Sequence, residues 1–431
     1  MILLYRIFIG FYGYIIQLGS FFNKKAKFFI DGRKNPSQIL LDLSRLNHPR
    51  IWFHFPSLGE FEQGRPVLEA WHNDFPEHQI VISFFSPSGY EVRKNYSLAA
   101  KVCYLPLDQP KSSRDFIEAL NPKMAFFTKY DFWYFYFREL RKRNIPIIVL
   151  SSIFRPRQIY FKPWGGFFRK ILGNVSYFFV QNQDSVDLLK SIGINRAWLT
   201  GDTRFDRVLK ISQNPMPLNE LNAFVFNNQI LVAGSSWPKD EIFIRKLMDQ
   251  ENFKNWKCFL VPHEIDTNHL EQIDSLFDNH SVRYSEWILD PESPLFRNKK
   301  IMVIDQIGLL SSLYKMADLA YIGNGFGSGI HNTLEAAVFG KPLIFGPNYL
   351  KFKEARDLIQ LNSAFSFADF EGLKILFKNL QDPQKRKESG EKAKKYCLDH
   401  TGATEKIIRT LKGDFMPSPY PPNNPPKPDA Y

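Results

Sequence analysis

The sequence predicts two α/β domains, each built on a doubly wound parallel sheet, facing one another across a cleft behind an N-terminal hydrophobic helix. Three observations predict it. Short apolar runs rich in β-branched and aromatic residues alternate with segments of helical period; the alternation restarts after the polar, Pro-containing stretch Ser212–Asn219; and residues 2–22 are almost wholly apolar. The length agrees, since 431 residues exceed one ordinary core, and a chain that is 44% hydrophobic and 23% charged is not disordered.

Taken in order, residues 1–23 form the hydrophobic segment, interrupted by Arg6 and Gln17 and followed at once by Lys24, Lys25 and Lys27. It lacks the small-residue cleavage site of a signal peptide, and the charges behind it favour a cytoplasmic body. It is long enough to span a bilayer, yet Arg6 and the aromatics also suit a helix lying in the membrane interface. A buried first helix is the third reading. Residues 24–211 make the first Rossmann-like domain, with strands at Ile51–His54, Gln79–Phe84, Met124–Thr128, Pro146–Leu150 and Tyr177–Gln181. Residues 212–400 make the second, with strands at Gln229–Ala233, Lys257–Val261, Ile301–Ile304, Leu319–Ile322 and Pro342–Phe345, its last helices free to cross back. Residues 413–431 are too Pro-rich to fold and read as a flexible extension.

Composition narrows the function. The three cysteines, Cys103, Cys258 and Cys397, are far apart with no CxxC or Cys/His cluster, which excludes a disulfide framework and a structural zinc site and fits a reducing compartment. A formal charge of +12 together with 16% aromatic residues points to a partner that is both anionic and greasy. Basic and aromatic residues interleave from Phe132 to Lys170, and because no nucleic-acid module accompanies them, an anionic membrane surface or phospholipid is the reading and nucleic acid is not. There is no DxD pair and no HExxH, so neither a metal nor another cofactor is expected.

The chemistry-bearing residues fall just after strands, where doubly wound sheets bind ligands. His54-Phe55-Pro56-Ser57-Leu58-Gly59-Glu60 leaves the first strand and opens a helix. Free N–H groups at a helix start attract anions, and Glu60 is placed to accept a proton from an attacking hydroxyl, provided partial burial raises its pKa. The plainer reading makes Glu60 a first-turn carboxylate favoured by the helix dipole. In the second half, the run Gly323 to Glu335 packs Gly323, Gly325, Gly327 and Gly329 before a helix, leaving mainly backbone to meet a phosphate or sugar. His331 and Glu335, spaced i,i+4, are expected on one helical face. Gly234-Ser235-Ser236, Val261-Pro262-His263-Glu264 and Gly346-Pro347-Asn348 converge on the same strand ends.

These residues resemble the 3-deoxy-D-manno-octulosonic acid (Kdo) transferases of the lipopolysaccharide inner core. The similarity covers nearly the whole chain to about residue 400 and rests on HxxSxGE (His54 to Glu60), Ser86-Pro87-Ser88-Gly89, Thr200-Gly201-Asp202-Thr203-Arg204-Phe205-Asp206, Leu313 to Ala320, and His331-Asn332-Thr333-Leu334-Glu335-Ala336-Ala337 followed by Gly346-Pro347-Asn348. The resemblance implies a two-Rossmann, type B glycosyltransferase on the cytoplasmic face of the inner membrane. It implies CMP-Kdo as donor, a lipid A precursor as acceptor and Glu60 as the general base of an inverting transfer. Acceptor contacts are then expected from Ser57, Gly59, Ser88, Asp131 and Arg155, and donor contacts from Arg204, Ser235, Ser236, His263, Gly325, Gly327, His331, Asn332 and Glu335. The family's ExELWPN run is replaced by Lys129-Tyr130-Asp131-Phe132-Trp133-Tyr134-Phe135, and PRHPE survives only as Pro262-His263-Glu264, leaving Arg204 and His263 as the groups to neutralise the cytidylate phosphate. A nucleotide-sugar epimerase of the same fold is the alternative, although it would need neither the hydrophobic segment nor the basic aromatic zone; a membrane-bound lipid- or nucleotide-binding module without chemistry is a third reading, against which Glu60 argues.

Overall fold

A strand buried on both faces is apolar along most of its length, with any polar side chain hydrogen-bonded, and Arg50–Phe55 and Met124–Thr128 are buried throughout. The computed structural model describes residues 1–415 except 292 and 297, so the Pro-rich extension lies, from residue 416 on, outside the described residues. Among the described residues there are fourteen strands in two parallel sheets. The first contains β1 (Arg50–Phe55), β2 (Gln79–Phe84), β3 (Lys101–Tyr104), β4 (Met124–Thr128), β5 (Ile147–Ser152), β6 (Tyr177–Val180) and β7 (Ala197–Leu199), in the order β3-β2-β1-β4-β5-β6-β7. The second contains β8 (Gln229–Ser236), β9 (Trp256–Pro262), β10 (Ser281–Arg283), β11 (Ile301–Val303), β12 (Leu319–Ile322), β13 (Leu343–Phe345) and β14 (Ala364–Ser366), in the order β10-β11-β9-β8-β12-β13-β14. The two-domain α/β reading holds, with the four edge strands β3, β7, β10 and β14 added to those expected.

The chain divides into two compact units, Met1–Arg207 with the chain from Gly402 onward, and Val208–Thr401. In the first unit the side-chain period of two sorts Trp52, Val81, Ala125 and Phe127 to one face of the sheet and Ile51, Phe53, Ile82 and Phe126 to the other. The second face is closed by the helix Leu58–Asp74 and by Ile407, Ile408 and Leu411 of the C-terminal helix Ala403–Phe415. In the second unit Leu231, Leu260, Val303 and Tyr321 pack beneath the helix Pro238–Met248 through Ile244 and Leu247.

The N-terminal helix, Ile2–Gly19, is docked along one side of the first unit. Its Tyr5 hydroxyl donates to Asp108 at 2.7 Å, the Tyr5 ring meets Tyr134, Phe135 and Phe167, Tyr12 stacks near Phe85, and Ile9 is buried. A separate stripe, Leu4, Phe8, Phe11, Ile15 and Leu18, faces outward. The reading as a buried first helix is therefore incorrect: only one face is covered, and the helix remains long and apolar enough to cross a membrane. Of the interleaved aromatics of Phe132–Lys170, Phe135, Tyr136, Phe137 and Phe154 are buried and most of the others are half-buried against the same core, while Trp164, Arg155, Arg157 and Lys170 are exposed.

Candidate active site and ligand loops

In each sheet the strand order reverses at one point, and the loops leaving the two strands there part to form a crevice. In the first sheet that point lies between β1 and β4, paired from Ile51↔Met124 to His54↔Phe127. The loop after β1 carries Ser57, Gly59 and Glu60; the loop after β4 carries Lys129, Tyr130 and Asp131. Two bonds join them. Lys129 Nζ donates to Glu60 Oε1 at 3.1 Å, and His54 Nε2 lies 2.5 Å from Asp131 Oδ2. Ser57, at the N-cap of the Leu58–Asp74 helix, gives its hydroxyl to Glu60 Oε2 rather than to the helix backbone. His54 is wholly buried, and its Nδ1 is 2.7 Å from Ser83 Oγ, which also accepts the Trp52 indole N–H at 2.8 Å. Asp131 is thus held from behind by a buried polar chain running through β1 and β2.

The electrostatics of Glu60 differ from expectation. Burial works to raise its pKa, but the Lys129 charge and the hydrogen bonds from Ser57 and Lys129 outweigh it and leave the carboxyl below its usual range. The expected raised pKa is corrected accordingly: Glu60 is an ionised acceptor, and its side chain keeps about a fifth of its surface (21%) open to solvent. A Cβ at Gly59 would meet only Ser57 Oγ, at 3.8 Å, so the helix start is open where a ligand would approach.

In the second sheet the reversal lies between β8 and β12, paired through Tyr321↔Ala233 and Ile322↔Gly234. Here the end of β8 (Ser235, Ser236) and Trp237 just beyond it meet the glycine-rich loop after β12. Asp240, buried in the first turn of Pro238–Met248, accepts from the backbone N–H of Trp237 at 3.0 Å and of Asn324 at 2.8 Å and from the Tyr321 hydroxyl at 2.7 Å. The glycines answer to the protein's own crowding: a Cβ on Gly325 would lie 2.4 Å from Gly346 N, and one on Gly327 would lie 2.2 Å from Asn324 Oδ1. Above them the rings of Trp237, His263 and His331 form a ladder, with centroids 5.2 and 4.3 Å apart at its two steps. Trp237 Nε1 donates to His331 Nε2 at 3.1 Å. Burial and the adjacent His263 push the His331 pKa down to about 4, so its ring is neutral, with the remaining proton on Nδ1.

The family model described as 3-deoxy-D-manno-octulosonic-acid transferase (kdotransferase) matches residues 26–207. A 3-deoxy-D-manno-octulosonic acid transferase of Rickettsia prowazekii is 26% identical over 355 residues, covering 80% of this chain and 75% of its own. That of Chlamydophila psittaci is 24% identical over 377 residues, 84% and 85% of the two chains. Together these likenesses support the Kdo transferase family for this chain. Solved structures share the fold: a UDP-GlcNAc 2-epimerase from Neisseria meningitidis bound to UDP-GlcNAc superposes with a TM-score of 0.58 at 15% identity, over 84% of this chain and all of that one. MurG of Acinetobacter baumannii does so at 0.53 and 13%, over 85% and all. At such identity the likeness speaks for the type B fold, two Rossmann-like units, while the sequence relatives decide for a glycosyltransferase over an epimerase.

Within this Kdo transferase the predicted residues do not all share one environment. Glu60, Ser57, Gly59 and Asp131 meet at the β1/β4 crevice; Ser88 follows β2, one strand away, with its hydroxyl 3.1 Å from that of Ser86; and Arg155 follows β5, exposed. Arg204 belongs to the first unit and not to the second-unit loops: its guanidinium holds buried Asp202 at 2.7 and 2.8 Å, and Gln63 bonds the same carboxylate. Ser236 is fully buried and its hydroxyl donates to Glu241, so it braces the end of β8, whereas Ser235, at φ +55°, sits where the register of β8 against β9 shifts. His331 and Glu335 do not share a helical face, because the helix starts only at Leu334. Asn332, one residue before its N-cap Thr333, accepts from Leu334 N and donates to Glu335 Oε1 at 3.0 Å, while Glu335 Oε2 accepts from Ser311. Four residues were not assigned a role from the sequence: Lys129, His54, Trp237 and Asp240. Their common signal is position, at or just beyond the ends of the strands that flank each reversal. Among the described residues no group of three or more His, Cys, Asp or Glu side chains could hold a metal.

Proposed function

We propose that the enzyme transfers Kdo from CMP-Kdo to the sugar hydroxyl of a lipid A precursor, with inversion and without an essential metal, and that Glu60 is the general base. The observation that carries the reading is an ionised, partly exposed carboxylate at the reversal point of the first sheet, at the start of a helix. As the acceptor oxygen bonds to the anomeric carbon, its proton passes to Glu60 and the electron pair of the breaking bond leaves with the phosphate of CMP. The cytidylate is a good leaving group, and the second-unit loops supply hydrogen-bond donors to stabilise it: the His331 Nδ1–H, the His263 ring and the backbone of the glycine-rich run. Ser57, Gly59, Ser88, Asp131 and Arg155 line the acceptor side; Ser235, Asn332 and Glu335 shape the donor side.

The acceptor is a lipid, and the N-terminal helix supports a lipid surface. Because Tyr5, Ile9 and Tyr12 hold it against the first unit, its outward stripe meets a bilayer sideways, in the interface, on the cytoplasmic face of the inner membrane. Arg155, Arg157 and Lys170 then face anionic headgroups. Purified protein incubated with CMP-Kdo and a lipid A precursor should give a lipid heavier by one or two Kdo residues. Glu60→Gln should abolish that product, a loss of about a hundredfold or more, while leaving CMP-Kdo binding intact. Turnover preserved in Glu60→Gln removes the base assignment; a lipid of unchanged mass with the wild-type enzyme removes the substrate assignment.

A further inference from the structure

The ion pair at Glu60 is built with unusual care. Lys129 has φ +61°, in the left-handed region that disfavours a side-chain-bearing residue. Its backbone N–H is pinned to Leu150 O at 2.9 Å, so β5 holds the loop in that turn. Glycine or asparagine would suit such a backbone better, and a lysine there is explained by where its ammonium goes: to Glu60 Oε1, while Ser57 occupies Oε2. Both carboxylate oxygens are thereby fixed.

Other charged groups on the elements around Glu60 are engaged elsewhere. On β1, His54 is bonded to Asp131 and Ser83; on the same helix, Arg65 bonds Glu69. Arg93, from the helix Pro87–Arg93, and Arg207 both bond Glu62, and Lys412 of the C-terminal helix pairs with Asp74.

We propose that Lys129 is a positioning residue for the transfer, orienting the Glu60 carboxylate and holding it in its ionised form. The inference rests on Glu60 being the base. Lys129 acts through Glu60 and makes the base available at acidities where an ordinary carboxylate would begin to protonate.

Lys129→Asn tests this, since asparagine accepts the left-handed turn and removes the charge. From the neutral plateau down to about pH 5, the ratio of wild-type to Lys129→Asn kcat/KM should grow by about threefold or more, because the variant's acid limb moves to higher pH. Lys129→Arg should return the profile toward wild type. A carboxyl-carbon NMR titration of Glu60, assigned by its disappearance in Glu60→Gln, reads the same effect without turnover; its midpoint should rise in Lys129→Asn, or in Lys129→Gly should the asparagine variant not fold. A ratio constant with pH, or an unmoved midpoint, overturns the proposal. So does a rise in KM for either substrate with an unchanged acid limb, which would make Lys129 a ligand contact. Turnover in Glu60→Gln instead defeats the base reading, while the titration still reports on the pair.

Discussion

Between about pH 6.5, where a histidine in the unfolded chain titrates, and about 4, where His331 does in the fold, the unfolded state binds a proton that the native ring refuses. Stability must therefore fall as pH drops through that window and recover above it. Thermal unfolding across the series should show wild type losing more stability on acidification than His331→Phe; equal slopes in the two proteins would count against a neutral, Trp237-bonded His331. The same residue marks how far sequence reading reached. Its place in a candidate ligand loop was legible from the strand and glycines before it. Its partner was not, because Trp237 lies 94 residues away and only the pairing of β8 with β12 brings them together. Glu60 repeats the lesson: its role as a candidate base followed from strand, turn and helix start, but the direction of its pKa depended on Lys129, 69 residues on, which the sequence showed only as a departure from a family pattern.

Elements were legible in proportion to how buried they are. The ten expected strands are the interior of the two sheets, where burial on both faces demands apolar runs. The four unforeseen ones, β3, β7, β10 and β14, are sheet edges of three or four residues, such as Ala197–Leu199, whose side chains are half-buried or exposed. Short edges need no continuous apolar signal and gain from lacking one. The N-terminal helix is the converse case, its hydrophobicity plain in the sequence but its orientation hidden until Tyr5 is seen bonded to Asp108 and Leu4, Phe8, Phe11 and Ile15 are seen facing out. Replacing Phe8 and Phe11 together by Asp should lower binding to anionic vesicles by about tenfold or more, each ring contributing roughly 1.5–3 kcal/mol of apolar burial. The melting temperature should stay near wild type, since both rings are exposed. Unchanged sedimentation with vesicles would remove the helix as the membrane contact.

At the scale of the molecule, the chain finishes its first unit last. After the second unit ends at Thr401, the polypeptide returns to the first. Asp206 receives it, accepting from Gly402 N at 2.6 Å and from Thr404 N and Oγ1 at 2.7 and 2.6 Å. Ile407 and Leu411 then enter the core beside Phe61, Leu68 and Trp71 of the helix that carries Glu60. That helix is held on one side by the sheet and on the other by residues synthesised about 340 positions later, so the rigidity of the Glu60 helix depends on a distant part of the sequence. Leu411 is fully buried, and Leu411→Ala should cost about 2–5 kcal/mol. The loss should be local: hydrogen exchange should accelerate along Leu58–Asp74 and β1, while β8, β9 and β12 keep wild-type protection, because their core contains none of these side chains. Acceleration spread evenly over both sheets, or none in the Leu58–Asp74 helix, would show that the returning helix does not brace the one that carries Glu60.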